Sequence, residues 1–388
     1  MFRVLILCLI VCLMPGTSWA QSGATLSGLT ESETPPHDAF DQTLKSLVAG
    51  DDLVGLAYAI VRDGEVEKIE TLGIKQMGYA EAIGPDTRFR IASLSKGFSG
   101  TLAASLVQEA KLDLRQPLSA FRPDFKLKTA PASAIKIEHI LTHRLGLPPN
   151  AYDNLLEDGV SVPTIERRLA SVKPICTPGT CYSYQNVTFD LIVDVIEQIE
   201  GRAFHTVMQQ RVFDPLGMQD SSFGASALQA DANWARPHRR RRGETWRTVA
   251  VKPNYYRLPA AAGINASITD MAQWLRAQMG EAPSVLNSAT LTELHKARTS
   301  TLSETRRKKR RMPALSQSSY GLGWRIYTYA GETVITHSGA VAGYAASIAF
   351  LPKQKTGIVL LSNANSRTFH NIVPLFLDLE LGRQTSPS

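Results

Sequence analysis

Cysteine is scarce in this chain of 388 residues. There are four, and two of them, Cys8 and Cys12, lie inside the first apolar stretch. No second Cys/His pair at zinc spacing accompanies Cys176 and Cys181, which argues against a structural zinc site. Long hydrophobic runs are equally scarce. The one at the start, Val4 to Met14, is eleven residues, too short to span a bilayer, and no comparable run follows. No cysteine stands directly after Ala20, so a lipid anchor there is not expected. Two basic runs, Arg239 to Arg242 and Arg306-Arg307-Lys308-Lys309-Arg310-Arg311, lack the interleaved aromatic residues of a nucleic-acid platform. Internal repeats are absent.

Apolar residues make up 44% of the chain and charged residues 20%, with a net charge of +7, which suits a globular protein with a sizeable core. The first 20 residues read as a cleavable secretory signal peptide: Arg3, the apolar run, Pro15-Gly16, and a small-x-small site ending at Ala20. The mature protein is then expected to be secreted or periplasmic, without a transmembrane anchor. Residues 21–37, polar and rich in Ser, Thr and Gly at their start, read as a disordered leader. Export agrees with the remaining cysteines. Pro178-Gly179 between Cys176 and Cys181 favours a tight turn that brings the thiols together. An oxidising compartment favours a disulfide over two free thiols. The basic runs allow two readings, solvated loops or attraction to an anionic cell-envelope surface.

The remaining chain, 38–383, reads as one domain. Phe40, Leu44, Leu47 and Val48 mark a short amphipathic helix. Leu53 to Val61 and Glu65 to Leu72 form a hairpin across Asp63-Gly64. Helical patterns dominate about 88–300, with helices expected at 96–110, 188–200, 203–213, 269–279 and 288–298. Thr299 to Ser319 reads as an exposed loop. Four strands follow: Trp324 to Tyr329, Glu332 to Thr336, Tyr344 to Leu351 and Thr356 to Ser362. A last helix spans about Thr368 to Leu381. The fold class is therefore α+β, with an antiparallel sheet built from both chain ends (about 38–75 and 320–383), helices gathered to one side, and a mainly helical insertion.

Ser93-Leu94-Ser95-Lys96 carries the most chemistry. Residues three apart on a helix face the same way, so Lys96 can reach Ser93. A serine hydroxyl becomes a useful nucleophile when a neighbouring base takes its proton. The start of the following helix adds free N–H groups near a reacting carbonyl. Ser95 points elsewhere around the helix and is the weaker nucleophile candidate. Tyr184-Gln185-Asn186 offers a phenol for proton transfer and an amide that can hold a substrate carbonyl or orient Lys96. His337-Ser338-Gly339, followed by Ala340, ends a strand whose edge can pair with an extended substrate, and glycine there permits close approach. Pro259 to Ile264 reads only as a tight apolar loop. His139 and His143, four apart, have zinc-ligand spacing, but no glutamate follows His139 as in H-E-x-x-H, so no metal is expected.

Taken together, Ser93-x-x-Lys96, Tyr184-x-Asn186 and His337-x-Gly339 resemble, in order and spacing, the penicillin-recognising serine hydrolases of the class C β-lactamase type. That group includes D-alanyl-D-alanine carboxypeptidases, D-aminopeptidases and esterases. Lys111-Leu112-Asp113-Leu114, Gly146-Leu147-Pro148 and Asp214-Pro215-Leu216-Gly217-Met218 look like the same family. The resemblance implies a β-lactamase/transpeptidase-like fold and no cofactor. It makes Ser93 the acylated nucleophile and Lys96 and Tyr184 the acid–base pair. Asn186, His337, Ser338, Gly339 and Ala340 become substrate-binding, with an oxyanion hole from the N–H groups of Ser93 and Ala340. The G-x-S-x-G signature of a different serine-hydrolase fold is absent. The partner implied is a small-molecule or peptide substrate (a β-lactam, a D-alanyl peptide or a short-chain ester), with no nucleic acid. A non-turnover sensor of β-lactam or peptidoglycan is the reading of another class. Histidine at 337, where cephalosporin-degrading members carry lysine, argues against efficient β-lactamase activity, because an imidazole with a reference pKa of about 6.5 is mostly neutral at pH 7.

Overall fold

The computed structural model describes residues 36–383 apart from 129, 242 and 243. The expected signal peptide and most of the expected leader lie outside these residues. The first helix, α1 (Pro36–Ala49), begins two residues inside the expected leader, with proline at a helix start, where its fixed φ and missing N–H cost nothing.

Eight strands form the main sheet: β1 (Gly55–Arg62), β2 (Glu65–Gly73), β3 (Thr299–Ser300), β4 (Leu315–Tyr320), β5 (Arg325–Tyr329), β6 (Glu332–Val341), β7 (Tyr344–Leu351) and β8 (Thr356–Ser362). Their order across the sheet is β3-β4-β5-β6-β7-β8-β1-β2, antiparallel throughout. The two chain ends meet where β1 pairs with β8, Tyr58 opposite Leu360. Alternation along β1 sends Ala57, Ala59 and Val61 into one apolar cluster and Leu56, Tyr58 and Ile60 into another.

Helices cover both faces of the sheet, which corrects the one-sided expectation. β7 and β8 are buried along their whole length, so neither face of the sheet centre meets water. On the outer face α1 and the C-terminal helix (Ile372–Glu380) pack together through Phe40 and Phe376, ring centroids 6.0 Å apart. On the inner face lie α2 (Ser95–Gln108) and α3 (Ile268–Gln278), with Phe98 stacked on Trp274 at 3.8 Å. α2 is buried on nearly every side. Its small residues permit this: a Cβ at Gly100 would lie 1.9 Å from the Leu322 carbonyl oxygen. The tertiary gain outweighs the poor helix propensity of glycine.

The Thr299–Ser319 segment is not a loop. It holds β3, a helix (Leu302–Lys308) and most of β4. A hydroxyl cluster fastens it, with Ser318 Oγ 2.6 Å from both Thr301 Oγ1 and Thr305 Oγ1. Part of the polar composition that suggested exposure is satisfied internally, while Arg306, Arg307 and Lys309 to Arg311 are exposed. The Pro259–Ile264 stretch holds a short helix (Pro259–Ala262) and the start of a small strand.

Candidate functional site

The site forms where α2 begins beneath β6. Ala92 has a left-handed backbone, φ +50°, an uncommon conformation for a residue with a side chain. It turns the chain from the short strand Phe89–Arg90 into the single-turn helix Ala92–Leu94 that carries Ser93. Backbone strain of this kind is held only where the surroundings over-determine it. Gly339 presses on the same turn. A Cβ there would come 2.4 Å from Ile91 O and 2.9 Å from Ser93 N. Glycine is therefore required for β6 to reach the serine, and Ala340, the next residue, shares a cleft with Ser93.

Lys96 is fully buried at the bottom of this arrangement. Its Nζ lies 3.4 Å from Ser93 Oγ, 2.7 Å from Asn186 Oδ1 and 2.9 Å from the Ala261 carbonyl oxygen. Three acceptors match the three N–H groups of an ammonium. Two of the acceptors, Asn186 and the Ala261 carbonyl, are held from behind. Asn186 Nδ2 donates to Asp153 Oδ2 at 2.6 Å. Asp190 Oδ1 accepts from Ala260 N and Ala261 N, fixing the turn that offers the Ala261 carbonyl. Burial pushes both carboxyls above the usual carboxylate range, Asp190 strongly. Ser95 takes no part: its Oγ donates to Ala92 O at 2.7 Å and accepts from Ile264 N.

Tyr184 stands beside the lysine, its ring centroid 4.9 Å from Lys96 Nζ. The segment leading to it is anchored by His143, whose carbonyl accepts from Ser183 N and whose Nδ1 accepts from Gln185 N. Cys176 and Cys181 are joined in a disulfide just upstream. His143 thus belongs to the scaffold of this segment, and His139 accepts from Lys136 N. Among the described residues no group of His, Cys, Asp and Glu is arranged to hold a metal.

His337 is buried. It sits within β6, which runs five residues past the expected strand end at Thr336. Arg325 Nη1 lies 2.9 Å from its Nε2, the Tyr320 hydroxyl 3.0 Å from the same atom, and its Nδ1 lies 3.0 Å from Ser338 O. A guanidinium can only donate, so Nε2 accepts and the proton sits on Nδ1. Burial, then Arg325 and Lys96, push the imidazole well below its ordinary pKa, so it is neutral. Arg325 in turn bonds Glu304 at 2.7 Å. Burial opposes ionisation of Glu304, but Arg325 and Lys308 outweigh it and hold that carboxyl down at about 2. The Arg325 guanidinium also lies 5.3 Å from the Tyr184 ring centre. A permanent cation therefore stands behind His337. Ser338 points to the opposite face of the sheet, paired with Ser347 beside Thr336 in a pocket near Lys308.

The motif residues Ser93, Lys96, Asn186, Gly339 and Ala340 converge, with Tyr184 and His337 beside them and Ser338 turned away. Sequence reasoning missed Arg325, Asp153, Asp190 and the Ala261 carbonyl. None lies in a motif, and only the weak apolar signal of Pro259 to Ile264 touched one of them.

A model of the Beta-lactamase family matches residues 40–381. The chain is 26% identical over 358 residues to an unguisins hydrolase (ungD') of Aspergillus campestris, covering 88% of this chain and 64% of that protein. It is 25% identical over 328 residues to the protein flp of Staphylococcus aureus strain COL, covering 82% and 61% respectively. The chain thus spans somewhat under two thirds of the length of these relatives. Among solved structures it is similar to an octameric penicillin-binding protein homologue from Pyrococcus abyssi, with TM-score 0.78 and 22% identity, covering 90% of this chain and 78% of that one. It is also similar to a mutant class C β-lactamase, with TM-score 0.71 and 20% identity, covering 90% and 99%. These two likenesses concern the fold, an antiparallel sheet with packed helices of the β-lactamase/transpeptidase type. With the family match extending over nearly the whole described chain, the protein belongs to the Beta-lactamase family.

Proposed function

We propose that the protein is an exported serine acyl-hydrolase that forms an acyl-enzyme on Ser93 and acts on β-lactams or D-alanyl peptide amides. The observation that carries this reading is the buried Lys96 ammonium, 3.4 Å from Ser93 Oγ and braced by two further acceptors. Ser93 Oγ attacks the substrate carbonyl, and its proton passes into the Lys96–Tyr184 pair. The pair accepts that proton only in the state one proton short of ammonium plus phenol, as amine with phenol or ammonium with phenolate. The oxyanion takes hydrogen bonds from the N–H groups of Ser93 and Ala340, each worth about 3–4 kcal/mol in the transition state. The proton is then delivered to the leaving nitrogen, the C–N bond breaks, and water releases the acyl group by the reverse path.

A short-chain ester is the second reading. It is favoured by His337, whose Nε2 is already engaged by Arg325, so the third motif offers no free ammonium for a β-lactam carboxylate. One relative bears the name of a hydrolase, which supports turnover over a non-turnover sensor. Export rests on the N-terminal apolar segment and the disulfide, and N-terminal sequencing of protein recovered outside the cytoplasm checks it, with Gln21 expected first. Labelling with a fluorescent penicillin and an activated ester, followed by mass spectrometry, tests the chemistry. Label on Ser93 with release of product is expected. Label retained by Ser93→Ala at the wild-type level would sink the assignment.

A further inference from the structure

The cleft above Ser93 is about 960 Å³, and one wall of it is basic. Arg90, Arg239, Arg240, Arg241, Arg247 and Lys252 line it, against the carboxylates Glu157 and Glu244. Arg239 to Arg241 of the first basic run are therefore part of a wall of the cleft. Arg239 lies on a short strand pair, His238–Arg239 with Arg247–Thr248.

Three features of this wall point to a ligand. First, Arg239 and Arg247 are directly opposite each other across the hairpin. Like charges in that position destabilise a strand pair, and a bridging anion would reverse the sign. Second, their neighbour Arg240 is committed, bonding Asp51 and stacking on Trp246, whereas Arg239, Arg241, Arg247 and Lys252 form no ion pair among the described residues. Third, Arg90 is buried to 4% exposure three residues before Ser93, and its Nε and Nη2 have no hydrogen-bond partner. Its Nη1 donates to Lys252 O, and its guanidinium lies 3.7 Å from the Tyr256 ring centre. The charge of Arg90 is thus held in a low-dielectric wall without a carboxylate, where its field reaches furthest.

The position relative to the reacting centre is set by β6. Its neighbour β5 stops at the pair Arg325–Thr336, so His337 to Val341 are paired only with β7. An extended substrate laid along that open edge, across Ser93, runs toward Val341, Ala342 and Gly343. Those residues line the cleft together with the arginines.

We propose that this wall is an anion-recognition subsite, and that the substrate is an acyl compound bearing one or more carboxylates at the end that lies toward Gly343, as an acidic peptide does. The inference rests on the acyl-enzyme reading of Ser93. Arg239 and Arg247 are its specificity-determining residues, and charge-assisted, bidentate hydrogen bonds are the expected contacts.

The test uses three p-nitrophenyl esters of equal chain length, with the acyl chain ending in a methyl, a carboxylate or a trimethylammonium group. At about 20 mM salt, kcat/KM should favour the carboxylate over the methyl ester by about tenfold or more, with the ammonium ester slowest. The preference should shrink toward unity at about 0.5 M salt, where such fields are screened. The double variant Arg239→Gln/Arg247→Gln should lower the carboxylate-to-methyl ratio severalfold, mostly through KM. Equal kcat/KM for the three esters at low salt, with Ser93 still acylated, overturns the subsite and leaves the acyl-enzyme reading standing. Absence of acylation by any ester sinks the earlier reading instead. The salt dependence of the unmodified protein decides the matter even where the double variant fails to fold.

Discussion

The floor and the wall of the cleft solve opposite electrostatic problems. On the floor, Lys96 is sealed from solvent, and two of its three acceptors, Asn186 and the Ala261 carbonyl, are braced by carboxylates. On the wall, the side chains of Arg239, Arg241 and Arg247 are exposed and, among the described residues, without ion pairs. A sealed charge is costly unless fully hydrogen-bonded, so the floor tolerates little change. An exposed charge is already solvated by water and can wait for a ligand at small cost. The difference separates positions that set the rate for every substrate from positions that sort substrates by charge.

The largest expected effect tests the floor at its centre. Ser93→Ala should abolish covalent labelling and reduce turnover by about 10⁴-fold or more, read by mass spectrometry and initial rates. Lys96→Ala should slow acylation by at least ~100-fold for the methyl and carboxylate esters alike. A loss confined to the carboxylate ester would merge floor and wall into one electrostatic device and break the comparison.

Placing a lysine at position 337 should hurt. His337→Lys sets an ammonium beside Arg325 Nη1, where the imidazole now accepts at 2.9 Å. Urea titration should show a loss of about 3 kcal/mol, with no gain in cephalosporin hydrolysis. An undiminished stability would mean that Arg325 moves freely. Asn186→Ala removes one acceptor from Lys96 and the donor to Asp153, and about a tenfold loss in acylation rate is expected by stopped-flow labelling.

The smallest effect concerns pH. The folded-state pKa of His337 is depressed, so the unfolded chain takes up a proton below about 6.5 that the folded one refuses. The stability tied to this residue is present above that pH and is lost as pH falls. Wild type should therefore lose about 1 kcal/mol more than His337→Gln between pH 7.5 and 5.5. Equal losses would show that the imidazole titrates normally in the folded protein.

The two basic runs show where sequence reading stops. Both are polar stretches of arginine and lysine, and both allow the same two readings. In the fold, Arg239 and Arg240 line the cleft above Ser93. Lys308 instead closes the last turn of a helix whose Glu304 holds Arg325 behind His337. Neither role has a local signature, because each depends on what a distant strand places opposite. Arg325 illustrates the same point. It reads as an ordinary polar residue at a strand start, and only burial against Glu304, Tyr320 and His337 turns it into part of the site.

What the sequence determined by itself was whatever is written in local spacing. Apolar runs bounded by turn residues drew the strands β1, β2, β7 and β8 close to their observed bounds. The Ser93–Lys96 spacing placed hydroxyl and amine on one helical turn, and Pro178-Gly179 brought two cysteines within bonding reach. The tertiary structure alone decided which charges are sealed and which are open. It also decided which backbone carbonyl meets Lys96, and that Gly339 rather than a larger residue must pass against the Ser93 turn. Those outcomes depend on desolvation and close packing between segments up to 246 residues apart (Ser93 and Gly339), and no local pattern encodes the dielectric or the clearance that a distant part of the chain will impose.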